Sequence, residues 1–325
     1  MSSDVHNAFS GATLDRVGDS RRRDDAWLRE QQASPDARAV VAGDHGLRLD
    51  GDALERVPLH QLNGHEPILL GLDPHGPLYA VDEDPPRDGR APMVGAGGVR
   101  GEPPPERQGR VGLRQAVSRL DQAEGGLAAY ATALLNWHRR HRYCSACGHP
   151  SDLVEGGLTR LCPNCKTEHH PRTDPVVIML VIDGDRVMLG RQAAWPTGRY
   201  SALAGFVEPG EALESAVARE VLEESGVTVG RVDYVSSQPW PFPMSLMLGF
   251  NAIYESGEPT IRDQELQDVR WFTRAELAAA AALPESDNWG VPGDPGGELA
   301  LPPRLAIARR LIENWLGGDS ARELA

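Results

Sequence analysis

The sequence predicts an α+β protein in three successive parts, and three observations carry that expectation. Short strand-like pieces followed by a helical stretch make residues 1–140 a mixed domain. The four cysteines of the chain fall within 22 residues and mark a small ribbon over 141–170. From 171 to 325, apolar runs of strand length surround one acidic helix. A length of 325 residues suits about two full domains, enough to bury a sizeable core. The formal charge of −14 argues against general affinity for nucleic-acid backbone, while leaving a local basic groove open. No apolar run approaches the ~20 residues of a membrane span. The N-terminus, with Asp4 and His6, has no apolar segment of the secretory kind. The expectation is a soluble, cytoplasmic protein without membrane contact.

In chain order, residues 1–35 are polar. Arg21-Arg22-Arg23 beside Asp24-Asp25 reads as a solvated helix face, with Trp27-Leu28 as its apolar anchor. Ala39–Val41, Leu47–Leu49, Pro67–Leu72 and Leu78–Val81 read as strands, the last two joined by the turn signal Asp73-Pro74-His75-Gly76. Asp82 to Gln108 is a Pro/Gly/Asp/Arg-rich loop. Leu113 to Arg142 carries apolar residues at helical spacing, and Gly125-Gly126 is expected to break or bend it. Its basic end, Trp137 to Arg142, suits a helix C-terminus.

Cys144-x2-Cys147 and Cys162-x2-Cys165, fourteen residues apart, form two knuckles of two thiolates each. Together they complete a tetrahedral, closed, structural Zn–S₄ site. Disulfides are disfavoured in a cytoplasmic protein, and a redox pair would not require the second knuckle.

Pro175–Ile182 is an apolar run of buried-strand length, turned by Asp183-Gly184-Asp185 into Arg186–Gly190. Beyond Tyr200–Gly205 comes the acidic helix. Glu208-Pro209-Gly210 is a turn, and Ala212 to about Ser225 reads as helix with Gly226 as its stop. Glu220, Glu223 and Glu224 share one side at i, i+3, i+4, while Leu222 and Ala218 point the other way and can bury against a sheet. Crowded carboxylates repel, and a hard cation such as Mg²⁺, which takes oxygen ligands and bridges to phosphate, gives them a reason. A solvated acidic face is the plainer account of a Glu-rich helix. Against it stands the fixed frame G-x5-E-x7-R-E-V-L-E-E-x-G-V from Gly205 to Val227, with every defining position filled. This frame resembles the Nudix box, the signature of hydrolases that split nucleoside diphosphates linked to another group. The resemblance implies an α/β/α sandwich and glutamates holding Mg²⁺ or Mn²⁺, with Arg219 and Glu211 paired to brace loop against helix. Strands are expected around Val232–Val235, Ser245–Tyr254 and Val269–Phe272, a helix opening at Arg274, a Gly/Pro loop over Asp287–Pro295 and an amphipathic helix over Leu305–Leu316.

Ten residues past the box stands Ser237-Gln238-Pro239-Trp240-Pro241-Phe242-Pro243-Met244-Ser245. Prolines at every second position favour a stiff extended segment, with Trp240 and Phe242 on one side. Such a segment can frame a flat heterocycle, with hydrogen bonds from Gln238 and Ser245; two core aromatics in a proline-rich loop is the plainer account. Ribbon, box and this segment together are similar to the NAD(H) pyrophosphatase branch of the Nudix hydrolases. What that implies is hydrolysis of NADH or NAD to nicotinamide mononucleotide and AMP, removal of NAD caps from RNA 5′ ends in bacterial members, homodimers, zinc in the ribbon and Mg²⁺ or Mn²⁺ at the box.

Carried over onto this chain, the resemblance gives the backbone carbonyl of Ala204, Glu220, Glu224 and Glu265 as ligands of the catalytic metal, with Glu223 near enough to share and Asp268 as a nearby decoy. Glu224, Glu223 and Glu265 are candidates for the general base. Gln238, Pro239, Trp240, Pro241, Phe242, Pro243, Met244 and Ser245 contact the nucleotide, Phe206 stacks on a base or nicotinamide, Ala308 lines the pocket and Arg114 touches substrate from the first domain. Some relatives carry two tyrosines after the last ribbon cysteine, the second an aromatic stack; here those positions are His169 and His170. Two other readings stay open: a Nudix hydrolase of a different nucleoside diphosphate derivative, and a non-catalytic zinc-ribbon binder of nucleic acid.

Overall fold

The computed structural model describes residues 7–43, 46–84, 109–262, 265–283 and 299–318. The loop expected over Asp82–Gln108 lies mostly outside these residues, and that over Asp287–Pro295 wholly so. The chain divides into two compact units, one of Met1–Thr173 with Pro239–Met244, the other of Asp174–Gln238 with Ser245–Ala325.

The first unit opens with helices α1 (Asp19–Arg22) and α2 (Asp25–Ala33). Strands β1 (Arg38–Gly43), β2 (Gly46–Asp50), β3 (Ala53–Leu54), β4 (Val57–Pro58), β5 (Ile68–Asp73), β6 (Gly76–Asp82) and β7 (Arg110–Val111) follow, then helices α3 (Leu113–Val117) and α4 (Gln122–Arg140). The sheet runs β3-β2-β1-β6-β5, with β4 on β1 and β7 on β2. The β5–β6 hairpin closes at Asp73–Gly76 as the turn residues require. Two expectations are corrected here. The long helix breaks at Ser118–Asp121, where Asp121 caps α4 by accepting from the Glu124 amide at 2.8 Å, and it runs straight through Gly125-Gly126. In the arginine run, Arg22 is 1% exposed rather than solvated. Its guanidinium donates to the carbonyls of Arg16 (2.7 Å), Leu69 (3.0 Å) and Leu70 (3.2 Å), the last two in buried hydrogen bonds.

The cysteine segment adds a three-stranded sheet, β8 (Asp152–Val154), β9 (Thr159–Leu161) and β10 (Glu168–His169), in the order β10-β9-β8. It joins α4 through a buried polar contact: His138 Nε2 meets the Gly157 carbonyl at 2.7 Å and its Nδ1 meets Arg160 Nη1 at 3.0 Å.

The second unit contains β11 (Asp174–Asp183), β12 (Arg186–Arg191), β13 (Leu203–Phe206), α5 (Leu213–Ser225), β14 (Thr228–Trp240), β15 (Ser245–Ser256), β16 (Asp268–Thr273), α6 (Arg274–Ala281) and α7 (Ile307–Gly317). Its sheet runs β14-β15-β11-β12-β16, with β13 paired to β11. Strand β11 is central, parallel to β15 and antiparallel to β12 and β13. Side chains alternate across a strand, so β11 feeds two cores. Val177, Met179 and Val181 pack with Val217 and Val221 of α5; Ile178, Leu180 and Ile182 pack on the other face with Leu277 of α6 and Leu311, Ile312 and Trp315 of α7. This is the expected α/β/α sandwich, and burial on both faces explains why β11 reads as an unbroken apolar run. Gly226 ends α5 in the left-handed conformation, φ 72°, as the stop signal indicates.

Candidate active site

Helix α5 delivers the box glutamates, but its rotation differs from the expectation. Leu222 is 40% exposed, whereas Val217, Val221 and Glu224 are buried, with Glu224 only 4% exposed. The 217, 221, 224 spacing follows one helix face, so the carboxylate side of α5 turns partly toward the sheet.

Glu220 lies against the edge strand β13. A Cβ built on Gly205 would sit 1.9–2.1 Å from the three carboxyl atoms of Glu220. The box glycine is therefore the space that Glu220 occupies. Burial pushes the Glu220 carboxyl above its ordinary value; the Arg219 contact opposes that, and the charges of Glu223 and Glu265 add to it. Glu265, exposed at the start of the segment leading to β16, thus shares the field of Glu220. Ala204 stands beside Gly205 in β13, opposite Ile178 of β11.

Arg219 is the hub that holds this arrangement. It donates to both oxygens of Glu211 (2.8 Å each), to the Phe206 carbonyl (2.9 Å), to Glu220 (2.8 Å) and to Glu223 (3.0 Å). The Arg219 hydrogen bonds hold the Glu211 carboxyl down at about 2. Glu211 Oε2 also accepts from the Glu208 amide at 3.1 Å, so the brace read from sequence ties the loop to the helix. One guanidinium faces the carboxylates of Glu211, Glu220 and Glu223, and the charge of Glu265 is felt at Glu220. An oxygen-only, strongly anionic donor set of this kind fits a hard divalent cation. Phe206 leaves its ring 61% exposed beside these groups.

Other predicted residues are placed differently. Gln238 is fully buried; its Nε2 donates to the Leu305 carbonyl at 2.7 Å and its Oε1 accepts from the Ile307 amide at 2.8 Å. Both ends of its amide seat the start of α7, which corrects the reading of Gln238 as a hydrogen bonder to substrate. Ala308 is 3% exposed within the core of α6 and α7, and this sheet face is the opposite one from α5, so it is a core residue where a pocket residue was expected. The proline–aromatic segment is extended only to Trp240; Pro241–Met244 turn, with Pro241 and Met244 buried and Ser245 opening β15. Pro239–Met244 belong to the first unit, where the Trp240 and Phe242 rings pack edge to face, centroids 5.2 Å apart. Arg114 of the same unit sets its guanidinium 4.4 Å from the Phe242 ring centre. His169 lies in β10 opposite Arg160, and the exposed His170 places Nδ1 3.5 Å from the Thr159 hydroxyl.

In the ribbon, Cys144 Sγ is 3.5 Å from Cys165 Sγ, Cys147 Sγ is 3.4 Å from Cys162 Sγ, and all four sulfurs fall within 4.8 Å. A tetrahedron with Zn–S of about 2.3 Å has S···S edges of about 3.8 Å, so this donor set fits zinc. Each knuckle closes at the fourth residue past its first cysteine in the left-handed conformation, Gly148 (φ 76°) and Lys166 (φ 63°). Only the first carries the glycine that sequence reasoning looks for.

Comparison with known proteins reproduces the three-part order. The profile of the NADH pyrophosphatase-like rudimentary NUDIX domain matches residues 32–137, that of the NADH pyrophosphatase zinc ribbon domain 139–169, and that of the NUDIX domain 172–290. The NAD-capped RNA hydrolase NUDT12 of Homo sapiens is 43% identical over 211 residues, covering 62% of this chain and 44% of that protein. The NAD-capped RNA hydrolase NudC of Mycobacterium bovis is 45% identical over 207 residues, covering 63% of this chain and 64% of that protein. This chain thus spans less than two thirds of the length of each of these relatives. A NUDIX hydrolase structure from Nitrosomonas europaea aligns at 23% identity and TM-score 0.38, covering 55% of this chain and 93% of that one. With Glu220 of the box seated on Gly205, the four-thiol ribbon ahead of it and all three domain profiles matched in sequence, the chain belongs to the NADH pyrophosphatase branch of the Nudix hydrolases.

Proposed function

We propose that the chain is a metal-dependent diphosphatase that cleaves NADH or NAD into the nicotinamide mononucleotide and AMP. The observation that carries this reading is Glu220 seated on the box glycine Gly205, held by Arg219 and within the charge field of Glu223 and Glu265. Glu220, Glu224 and Glu265 with the Ala204 carbonyl would hold Mg²⁺ or Mn²⁺. Such an ion, when bound, offsets the diphosphate charge and lowers the pKa of a water. Arg219 keeps Glu220 and Glu223 aimed, and Phe206 offers an exposed ring to a base or nicotinamide. A carboxylate among Glu223, Glu224 and Glu265 takes the proton as the water oxygen bonds to phosphorus, and the bridging oxygen leaves with the departing mononucleotide. His170, Arg114 and the Pro239–Ser245 segment supply the remaining substrate contacts.

The relatives' names support NAD-capped RNA ends as a substrate of the same chemistry. Within this reading the chain works as a cytoplasmic homodimer with functional boundaries near 140 and 170.

Metal-dependent release of AMP from NADH tests the proposal. Glu224→Gln is expected to abolish turnover while retaining fold and zinc; turnover at the wild-type rate in that variant would refute the assignment. Comparing kcat/KM on NADH and on NAD-capped RNA ranks the two substrates.

A further inference from the structure

The N-terminal strap Asn7–Thr13 lies outside all three matched domains, yet it is built into the core of the first unit. Asn7 is 7% and Phe9 2% exposed. Phe9 sits at φ 66°, a conformation that a bulky side chain rarely adopts, and it persists only where surrounding contacts over-determine it. Those contacts are on both sides of the strap. Ser10 Oγ donates to the Asn7 carbonyl at 2.5 Å, and Gln122 Nε2 of α4 donates to the same carbonyl at 3.3 Å. A Cβ on Gly126 of α4 would lie 2.6 Å from the Ala12 amide nitrogen and 3.0 Å from the Ser10 carbonyl, so the helix admits the strap only because that position is glycine.

The held strap aims one side chain. The Phe9 ring meets Trp240 with centroids 5.7 Å apart at 84° and Phe242 with centroids 5.7 Å apart at 73°. Both are edge-to-face arrangements, the favoured geometry for aromatic pairs. Arg114 stands 4.4 Å from Phe242 and 5.9 Å from Trp240. Trp240 and Phe242 are half-buried and keep part of their surface open.

We infer that Phe9 is a positioning residue for nucleotide recognition: it sets the orientation of Trp240 and Phe242, and so the KM for a dinucleotide diphosphate, without touching the substrate. This rests on the proposed function through the role given to the Pro239–Ser245 segment. Loss of the Phe9 ring frees two aromatic faces to rotate while leaving the carboxylate cluster, which lies in the other unit, unchanged.

The test uses the full chain with NADH and Mg²⁺. Phe9→Ala is expected to raise KM about tenfold with kcat within about twofold, because a contact acting on binding alone leaves the chemical step unchanged. Amide exchange is expected to accelerate in the peptide spanning 239–245 and to stay at the wild-type rate in α5. Phe9→Leu, which keeps apolar volume but loses the flat ring, is expected to show both effects at a reduced but measurable size, about threefold in KM, and it replaces Phe9→Ala if that variant exchanges throughout. An unchanged KM, or a fall in kcat at constant KM, would overturn the inference. So would unchanged exchange over 239–245. If the wild type releases no AMP from NADH, the substrate reading fails instead, and the exchange measurement still decides whether Phe9 holds the segment.

Discussion

Replacing Gly205 by alanine tests the carboxylate cradle directly. Gly205 is not among the positive-φ glycines, so alanine meets no backbone penalty there, and β13 can keep its pairing with β11. The added Cβ would sit 1.9 Å from the Glu220 carboxyl carbon. Ordinary contact requires about 3.4 Å or more, so the carboxylate must retreat by roughly 1.5 Å. A misplacement of about 1 Å in a catalytic constellation costs on the order of 10²-fold in rate, roughly 3 kcal/mol of barrier. The expected result is a loss of about 10²-fold in kcat/KM for NADH with a thermal midpoint within a few degrees of wild type. Divalent-ion affinity, read by titration calorimetry with Mn²⁺ in the absence of substrate, is expected to fall in parallel. This second readout makes the test independent of the substrate. Wild-type Mn²⁺ affinity in Gly205→Ala would refute the reasoning, because it would mean that Glu220 holds no metal in the position the structure gives it.

Three further outcomes follow from the first unit. His138 is buried between a carbonyl and a guanidinium that can only donate, so Nδ1 must accept from Arg160 and Nε2 carries the proton to Gly157. Burial, foremost, lowers its pKa to about 4. A folded value below the unfolded one means that stability is full above pH ~6.5 and is lost as pH falls toward 4; by pH 5 the loss is about 2 kcal/mol. Urea unfolding at pH 7 and 5 should show that fall in wild type and a shallower one in His138→Gln; equal slopes would exclude His138 as its source. Arg22→Met, which keeps bulk but abandons the carbonyls of Arg16, Leu69 and Leu70, is expected to cost about 3 kcal/mol in the same assay. Arg22→Lys should not rescue it, since one ammonium cannot replace a planar fork reaching several acceptors. Cys165→Ser is expected to reduce bound zinc, measured by elemental analysis, from about one ion per chain toward none and to lower the thermal midpoint, as a structural zinc site contributes folding energy.

How much was legible depended on whether a residue's reason lay near it in sequence. Strand β11 was legible because burial on both faces leaves an unbroken apolar run, and the cysteine knuckles because ligand geometry fixes their spacing. The Arg219–Glu211 brace was legible because the box frame fixes both positions. Phe9 gave no signal: one aromatic in a polar terminus has no periodicity, and its partners Trp240 and Phe242 are more than 200 residues away. Arg22 was misread because a charge run resembles a solvated face, and only the fold brings three or more carbonyls around it. The rotation of α5 was misread for a more instructive reason. Sequence patterning assumes that apolar residues turn inward and charges outward, which assigns Leu222 to the core and Glu224 to water. The structure inverts that assignment, with Leu222 40% and Glu224 4% exposed. Burying a carboxylate is costly unless something offsets its charge. The inversion is therefore invisible to an apolar-versus-charged pattern: what turns Glu224 inward and Leu222 outward lies in the folded surroundings of α5, not in the spacing of its own residues.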